Sequence, residues 1–221
     1  MLKWFKWPIF ILGISVLVVG VLHFINNSNA YTNLPENGKP VLELPIDKLW
    51  KLPTQIMPMG ETINHEARYG GHPGIDFQWY DGDGVKIFAS MDSEVVGIFP
   101  DGNGRYDLAT RNGKWGVDYT ELESINPQLK AGSKLKVGDW VGIPNHPNDV
   151  NDLPKYRMIH WQFGYSDNIF PAKVKERLCP LTYFSQSSKI LLEKLWADTN
   201  WPVMKANAPE ICSNYFKNRD E

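Results

Sequence analysis

Short runs of alternating apolar and polar residues, separated by Gly, Asn, Asp and Pro clusters, fill this chain from about residue 54 to 172 and predict an all-β domain of antiparallel strands. In Met158 to Phe163 the alternation sends His160 and Gln162 to one face and Ile159, Trp161 and Phe163 to the other. Tyr80-Asp81-Gly82-Asp83-Gly84 and Asp101-Gly102-Asn103-Gly104 read as hairpin turns. They faintly resemble calcium loops but lack the later Glu and the ligand count such a loop needs. From Ser185 to Asp198 the period changes. Ile190, Leu191, Leu195 and Trp196 recur at helical spacing and predict a C-terminal helix followed by a polar tail.

The opening of the chain has a different pattern. Lys3 and Lys6 precede an apolar run from Trp7 to Ile25, which is a signal peptide or a membrane anchor. Ser28-Asn29-Ala30 is an acceptable cleavage site, but the run approaches the roughly 20 residues that span a bilayer, which favours an uncleaved anchor with its positive end in the cytoplasm. The expected organisation is residues 1–30 as anchor or signal, 31–53 as a linker partly docked on the domain, 54–172 as the β domain and 173–221 as a C-terminal extension.

The 221 residues are enough for one domain with a substantial core. A net charge of −2 with no Lys/Arg stripe argues against nucleic acid as a partner. Cys179 and Cys212, the only cysteines, both lie in the extension, and an exported chain is expected to pair them; two buried free thiols are the other reading. Trp79, Trp115, Trp140 and Trp161 read as packing residues of the β domain.

The candidate chemistry centres on His72-Pro73-Gly74-Ile75-Asp76 and on His160. Pro73-Gly74 disfavours a helix, so His72 and Asp76 are expected on a turn leading into a strand, facing the same side. Two imidazoles and a carboxylate form one of the small ligand sets that hold a catalytic zinc while leaving a position open for water. Neighbouring strands are expected to bring all three to one point.

In these motifs the chain resembles the lysostaphin- and LytM-type zinc endopeptidases, which cleave peptide cross-bridges of bacterial cell walls. His72-x-x-x-Asp76 followed by Phe77 resembles the family's first zinc motif, and Met158-Ile159-His160-Trp161-Gln162 its later His-x-His, aromatic and Glu element. Between them, Val85 to Ser90 and Ser93 to Gly97 resemble the family's paired strands, and Lys136-Val137-Gly138-Asp139-Trp140-Val141-Gly142 its Val-Gly-Asp turn. The order of motifs covers about residues 54–172. The resemblance implies a LytM-like open barrel or sandwich and zinc on His72, Asp76 and His160.

Two departures stand out. Met158 occupies the first position of the His-x-His pair, and Tyr119-Thr120-Glu121-Leu122 stands where the family has Tyr-x-His-Leu. Two readings follow. In one, Glu121 replaces the histidine as general base, with His146 as a candidate stabiliser of the oxyanion, and the chain hydrolyses peptidoglycan peptides. In the other, the domain binds wall or regulates another wall hydrolase. His65, Tyr119, Met158 and Gln162 are expected around the cleft. Such a chain is expected at the bacterial inner membrane with its domain in the periplasm, or secreted there if the leader is removed. A phosphate-carrying relative of the sugar-phosphotransferase IIA proteins is a weaker reading, because phosphoryl relays run in the cytoplasm.

Overall fold

The computed structural model describes residues 38–60, 71–147, 153–165 and 176–213. The apolar run of residues 7–25 and His65 lie outside them; among the described residues no helix is long and apolar enough to cross a membrane. In chain order the strands are β1 (Gln55–Met57), β2 (Met59–Gly60), β3 (Ile75–Trp79), β4 (Ile87–Phe88), β5 (Ser93–Pro100), β6 (Tyr106–Asn112), β7 (Trp115–Ile125), β8 (Lys134–Leu135), β9 (Trp140–Pro144), β10 (Arg157–Tyr165), β11 (Glu176–Arg177) and β12 (Cys212–Ser213). The α-helices are α1 (Gln186–Asp198) and α2 (Pro202–Asn207).

The main sheet runs β1-β3-β10-β7-β6-β5-β8, with β4 and β9 joined through the far end of β7 and with β11 added to β10. Every pairing within it is antiparallel, as the alternation predicts. One face of its central strands is apolar: Phe77 and Trp79 of β3, Val117 and Tyr119 of β7, and Ile159, Trp161 and Phe163 of β10 are all 0–1 % exposed. The intervening residues of the same strands, among them Asp76, Gln78, Thr120, Met158 and His160, face an open cleft. Period-two alternation thus makes the core and the candidate site opposite faces of the same strands.

Several local expectations are corrected. Asp101 to Gly104 closes the β5–β6 hairpin, but Tyr80 to Gly84 joins no hairpin, because β3 pairs with β1 and β10 while β4 pairs with β9. Likewise Val85–Ser90 and Ser93–Gly97 do not pair with each other, since β5 lies between β6 and β8. In α1, capped by the Ser185 hydroxyl accepting from Ser188 N–H at 3.2 Å, the buried apolar residues are Leu192, Leu195 and Trp196, whereas Ile190 is exposed. Trp115 and Trp140 are only half-buried, unlike Trp79 and Trp161.

The flanking segments share the domain's core. Leu42, Leu44 and Ile46 pack in the same apolar cluster as the sheet, and so do Leu192, Leu195, Trp196, Met204, Ala208 and Ile211 from the C-terminal extension. Cys179 and Cys212 are disulfide-bonded, with Cα atoms 5.9 Å apart. Next to the bridge, β12 runs parallel to β2, and Met59 N–H donates to the Ile211 carbonyl at 2.8 Å.

Candidate metal centre

Three elements bring His72, Asp76 and His160 together. Asp76 on β3 is the direct cross-strand partner of His160 on β10, and His160 is in turn opposite Thr120 on β7. His72 lies just before β3, tied to Gly60 of β2 by reciprocal backbone hydrogen bonds of 2.9 and 2.6 Å. Gly71 makes that approach possible: its φ is +70°, and a Cβ there would stand 2.7 Å from the Gly60 carbonyl carbon. Gly74 does the same between the first two candidate ligands, where a Cβ would stand 2.2 Å from the Trp161 carbonyl oxygen.

The donor atoms converge. His72 Nε2 is 2.9 Å from His160 Nδ1 and 3.1 Å from Asp76 Oδ1, and Asp76 Oδ1 is 2.7 Å from His160 Nδ1. Ligand atoms around a tetrahedral zinc at about 2.0–2.1 Å would stand roughly 3.3 Å from one another, close to this triangle. His72 Nδ1–H donates to the Pro58 carbonyl at 2.7 Å, which leaves the Nε2 lone pair aimed at the cluster; a backbone carbonyl is a usual outer partner of a metal-binding histidine. All three side chains are at most 12 % exposed. Donor types, spacing and burial fit a zinc ion.

The electrostatics favour a charged carboxylate at the centre. Burial alone would raise the Asp76 pKa, but the two imidazoles beside it override that effect and hold the carboxyl well below its ordinary value. Burial would likewise depress His72, and the Asp76 carboxylate overrides it upward.

The cleft over this cluster has a volume of roughly 630 Å³. Asp76 and Glu121 are the acidic residues on its walls, and no Lys or Arg lines it among the described residues. Gln55, Gln78, Tyr80, Tyr156 and Trp201 also line it. Trp201 comes from the extension, which had shown no sign of reaching the cleft from sequence.

Glu121 reaches the cleft through a backbone irregularity. Simple alternation along β7 would turn it to the core side with Tyr119. Instead it is the non-glycine residue with positive φ among those described, at 64°, and the β6–β7 register shifts across it, from Tyr106↔Leu122 to Leu108↔Tyr119. This is a β-bulge: one extra residue lets Thr120 and Glu121 both face the cleft while Leu122 returns to the core. Burial raises the Glu121 carboxyl above its ordinary range, repulsion from Asp76 adds to the rise, and Arg105, 3.4 Å away, partly offsets it.

The remaining candidates divide. Met158 lines the cleft, and Gln162 contacts His160 Nε2 at 2.7 Å. Tyr119 does not reach the cleft: its hydroxyl accepts from Ser90 N–H at 2.7 Å in the core, and burial pushes its pKa up to about 12. His146 is also off the cleft wall, its Nδ1–H donating to the Pro147 carbonyl at 2.8 Å. Neighbouring Asn145, not singled out from sequence, pairs with Met158 through backbone hydrogen bonds of 2.9 and 2.8 Å.

No protein-family model matches the chain, and no curated protein matches it. Among solved structures it is similar to Csd3 of Helicobacter pylori, at 18 % identity over 71 % of this chain and 40 % of that one, with a TM-score of 0.44. The SpoIIQ–SpoIIIAH pore-forming complex is similar at 15 % identity over 71 % of this chain and 98 % of the other, with a TM-score of 0.49. The antimicrobial peptidase lysostaphin from Staphylococcus simulans is similar at 16 % identity over 63 % and 55 %, with a TM-score of 0.44. The chain thus spans about 40 % of the length of Csd3.

Proposed function

We propose that this chain is a zinc-dependent endopeptidase acting on the peptide stems or cross-links of bacterial peptidoglycan. The observation that carries the reading is the convergence of His72 Nε2, Asp76 Oδ1 and His160 Nδ1 beneath an open cleft that also holds the carboxylate of Glu121. A zinc ion held by those three atoms supplies a Lewis acid that activates water near neutral pH. The chain's own groups would do the rest. Pro58 fixes the His72 ring, and Asp76 stays ionised between two imidazoles. Glu121, its basicity raised by burial and by Asp76, is suited to take a proton from the attacking water and return it to the leaving amine. Arg105, with Nη1 3.4 Å from Glu121 Oε1, orients that carboxylate. The aromatic and amide walls suit an extended peptide, and the acidic Glu121, with no Lys or Arg among the described lining residues, suits a peptide segment that is neutral or bears an amine. We further infer a periplasmic domain tethered to the inner membrane, a location supported by Lys3, Lys6 and the apolar run of residues 7–25.

One observation favours a second reading, a wall-binding module or a regulator of another wall hydrolase. Met158, which cannot carry a proton, faces the cleft at a position where the resembling family places a histidine, and His146 does not replace it there. The two readings separate when zinc-loaded chain and His72→Ala are each incubated with purified peptidoglycan, alone and mixed with a second wall hydrolase. New peptide amino termini from the zinc-loaded chain alone, absent with His72→Ala, are expected of the peptidase. A changed rate only in the mixture is expected of the regulator.

A further inference from the structure

Asp76 and His160 hold each other in place, because they are direct partners in the β3–β10 ladder. His72 lies outside that ladder. It is fixed from another side, by reciprocal backbone hydrogen bonds with Gly60 and by the Pro58 carbonyl that accepts from its ring. Gly60 is on β2, a two-residue strand whose partner is the two-residue β12, in the parallel register Cys212↔Met59 and Ser213↔Gly60. A parallel pair that short makes few hydrogen bonds and is marginal by itself. Burial of Ile211, 4 % exposed, anchors the start of β12 in the core, and Cys212 ties the strand covalently to Cys179.

Cys179 leads to the other histidine. Leu178 N–H donates to the Phe163 carbonyl at 2.9 Å, Arg177 pairs with Gly164, and Arg177 Nε–H donates to Gln162 Oε1 at 2.8 Å. The residues before Cys179 are thus fastened to β10, the strand that carries His160. The disulfide therefore braces the segment that holds His72 against the strand that holds His160. We propose that the Cys179–Cys212 disulfide is a redox latch on the metal site: it places His72, and the three-donor site is complete only in the oxidised chain. Cys179 and Cys212 are positioning residues in this account, which rests on the metal site proposed above. Opening the latch consumes two glutathione thiols and yields two cysteine thiols and one glutathione disulfide. It frees β12 from β10 and leaves Asp76 with His160 as a two-donor remnant.

The test is a cycle of zinc affinities in the full chain, measured by competition with a chromophoric chelator, for the native protein, Cys179→Ala/Cys212→Ala, His72→Ala and all these substitutions combined. Circular dichroism checks the fold of each. The cysteine-free variant is expected to bind zinc about 10–100-fold more weakly than the native chain, the usual range for an outer partner of a metal ligand. Without the disulfide, His72→Ala is expected to cost less than it costs in the native chain, because His72 no longer stands where it contributes. A merely structural disulfide would leave the two losses independent. Unchanged zinc affinity in the folded cysteine-free variant overturns the proposal, and so do losses that simply multiply. Should that variant not fold, the native chain decides. Linked equilibria are reciprocal, so saturating zinc is expected to shift the glutathione equilibrium of the native disulfide about 10–100-fold toward the oxidised form, and an equal equilibrium with and without zinc overturns the proposal. Zinc on the native chain with no coupling to the disulfide removes the latch alone, whereas absence of zinc binding from the native chain overturns the metal site itself, and the proposal with it.

Discussion

Glu121→Gln is expected to lower release of wall peptides by about 10²–10⁴-fold while zinc content stays the same, the range for loss of a general base. Gln keeps the shape of the side chain and removes its ability to take a proton, and Glu121 is not part of the His72, Asp76 and His160 donor triangle. The pH dependence gives a second check. A base works only when deprotonated, so a raised carboxyl pKa moves the acid limb of the rate profile upward, above the 4.5 ordinary for Glu, and activity falls as pH drops through that limb. The limb is expected to vanish in Glu121→Gln. Unchanged peptide release in that variant would remove Glu121 from the mechanism and favour the regulatory reading.

Trp161→Ala is expected to destabilise the fold by roughly 3–5 kcal/mol, read from chemical denaturation, the usual cost of deleting a fully buried large aromatic. Trp161 is 1 % exposed, stacks on Phe184 with ring centroids 5.6 Å apart, and donates from Nε1 to Ser90 Oγ at 3.1 Å. Its loss would open a cavity beneath the strand that carries His160 and Gln162, so zinc affinity is expected to fall with stability. Trp140, half-buried on β9, is expected to cost much less when replaced. Equal costs at the two positions would mean that the core does not lie where the strand alternation puts it.

The convergence of the three candidate donors was legible because each lies in a short, locally determined pattern. Pro73-Gly74 excludes a helix between His72 and Asp76, and the alternation of Ile159, Trp161 and Phe163 with His160 and Gln162 needs no knowledge of partners. The antiparallel sheet was legible for the same reason. Glu121 was singled out only through its resemblance to a motif, since alternation points it with Tyr119 and only the bulge turns it to the cleft. Tyr119 was singled out from a motif and His146 from its loop position, and neither signal tells that the Tyr119 hydroxyl turns to Ser90 in the core or that His146 turns to the Pro147 carbonyl. The parts supplied by the extension were invisible: Trp201 on the cleft wall and Arg177 at Gln162 depend on long-range pairing that no local period encodes. Ile190 and Leu192 differ by two positions on one helix, and which of them is buried is decided by the surface against which α1 packs.

The most direct measurement is the metal content of the purified full chain, by elemental analysis after exhaustive dialysis, beside His160→Ala with its fold checked by circular dichroism. One zinc per chain in the native protein, lost from a folded His160→Ala, is the predicted result. A folded native chain that takes up no zinc, or that keeps it without His160, would contradict the site on which the proposed function stands.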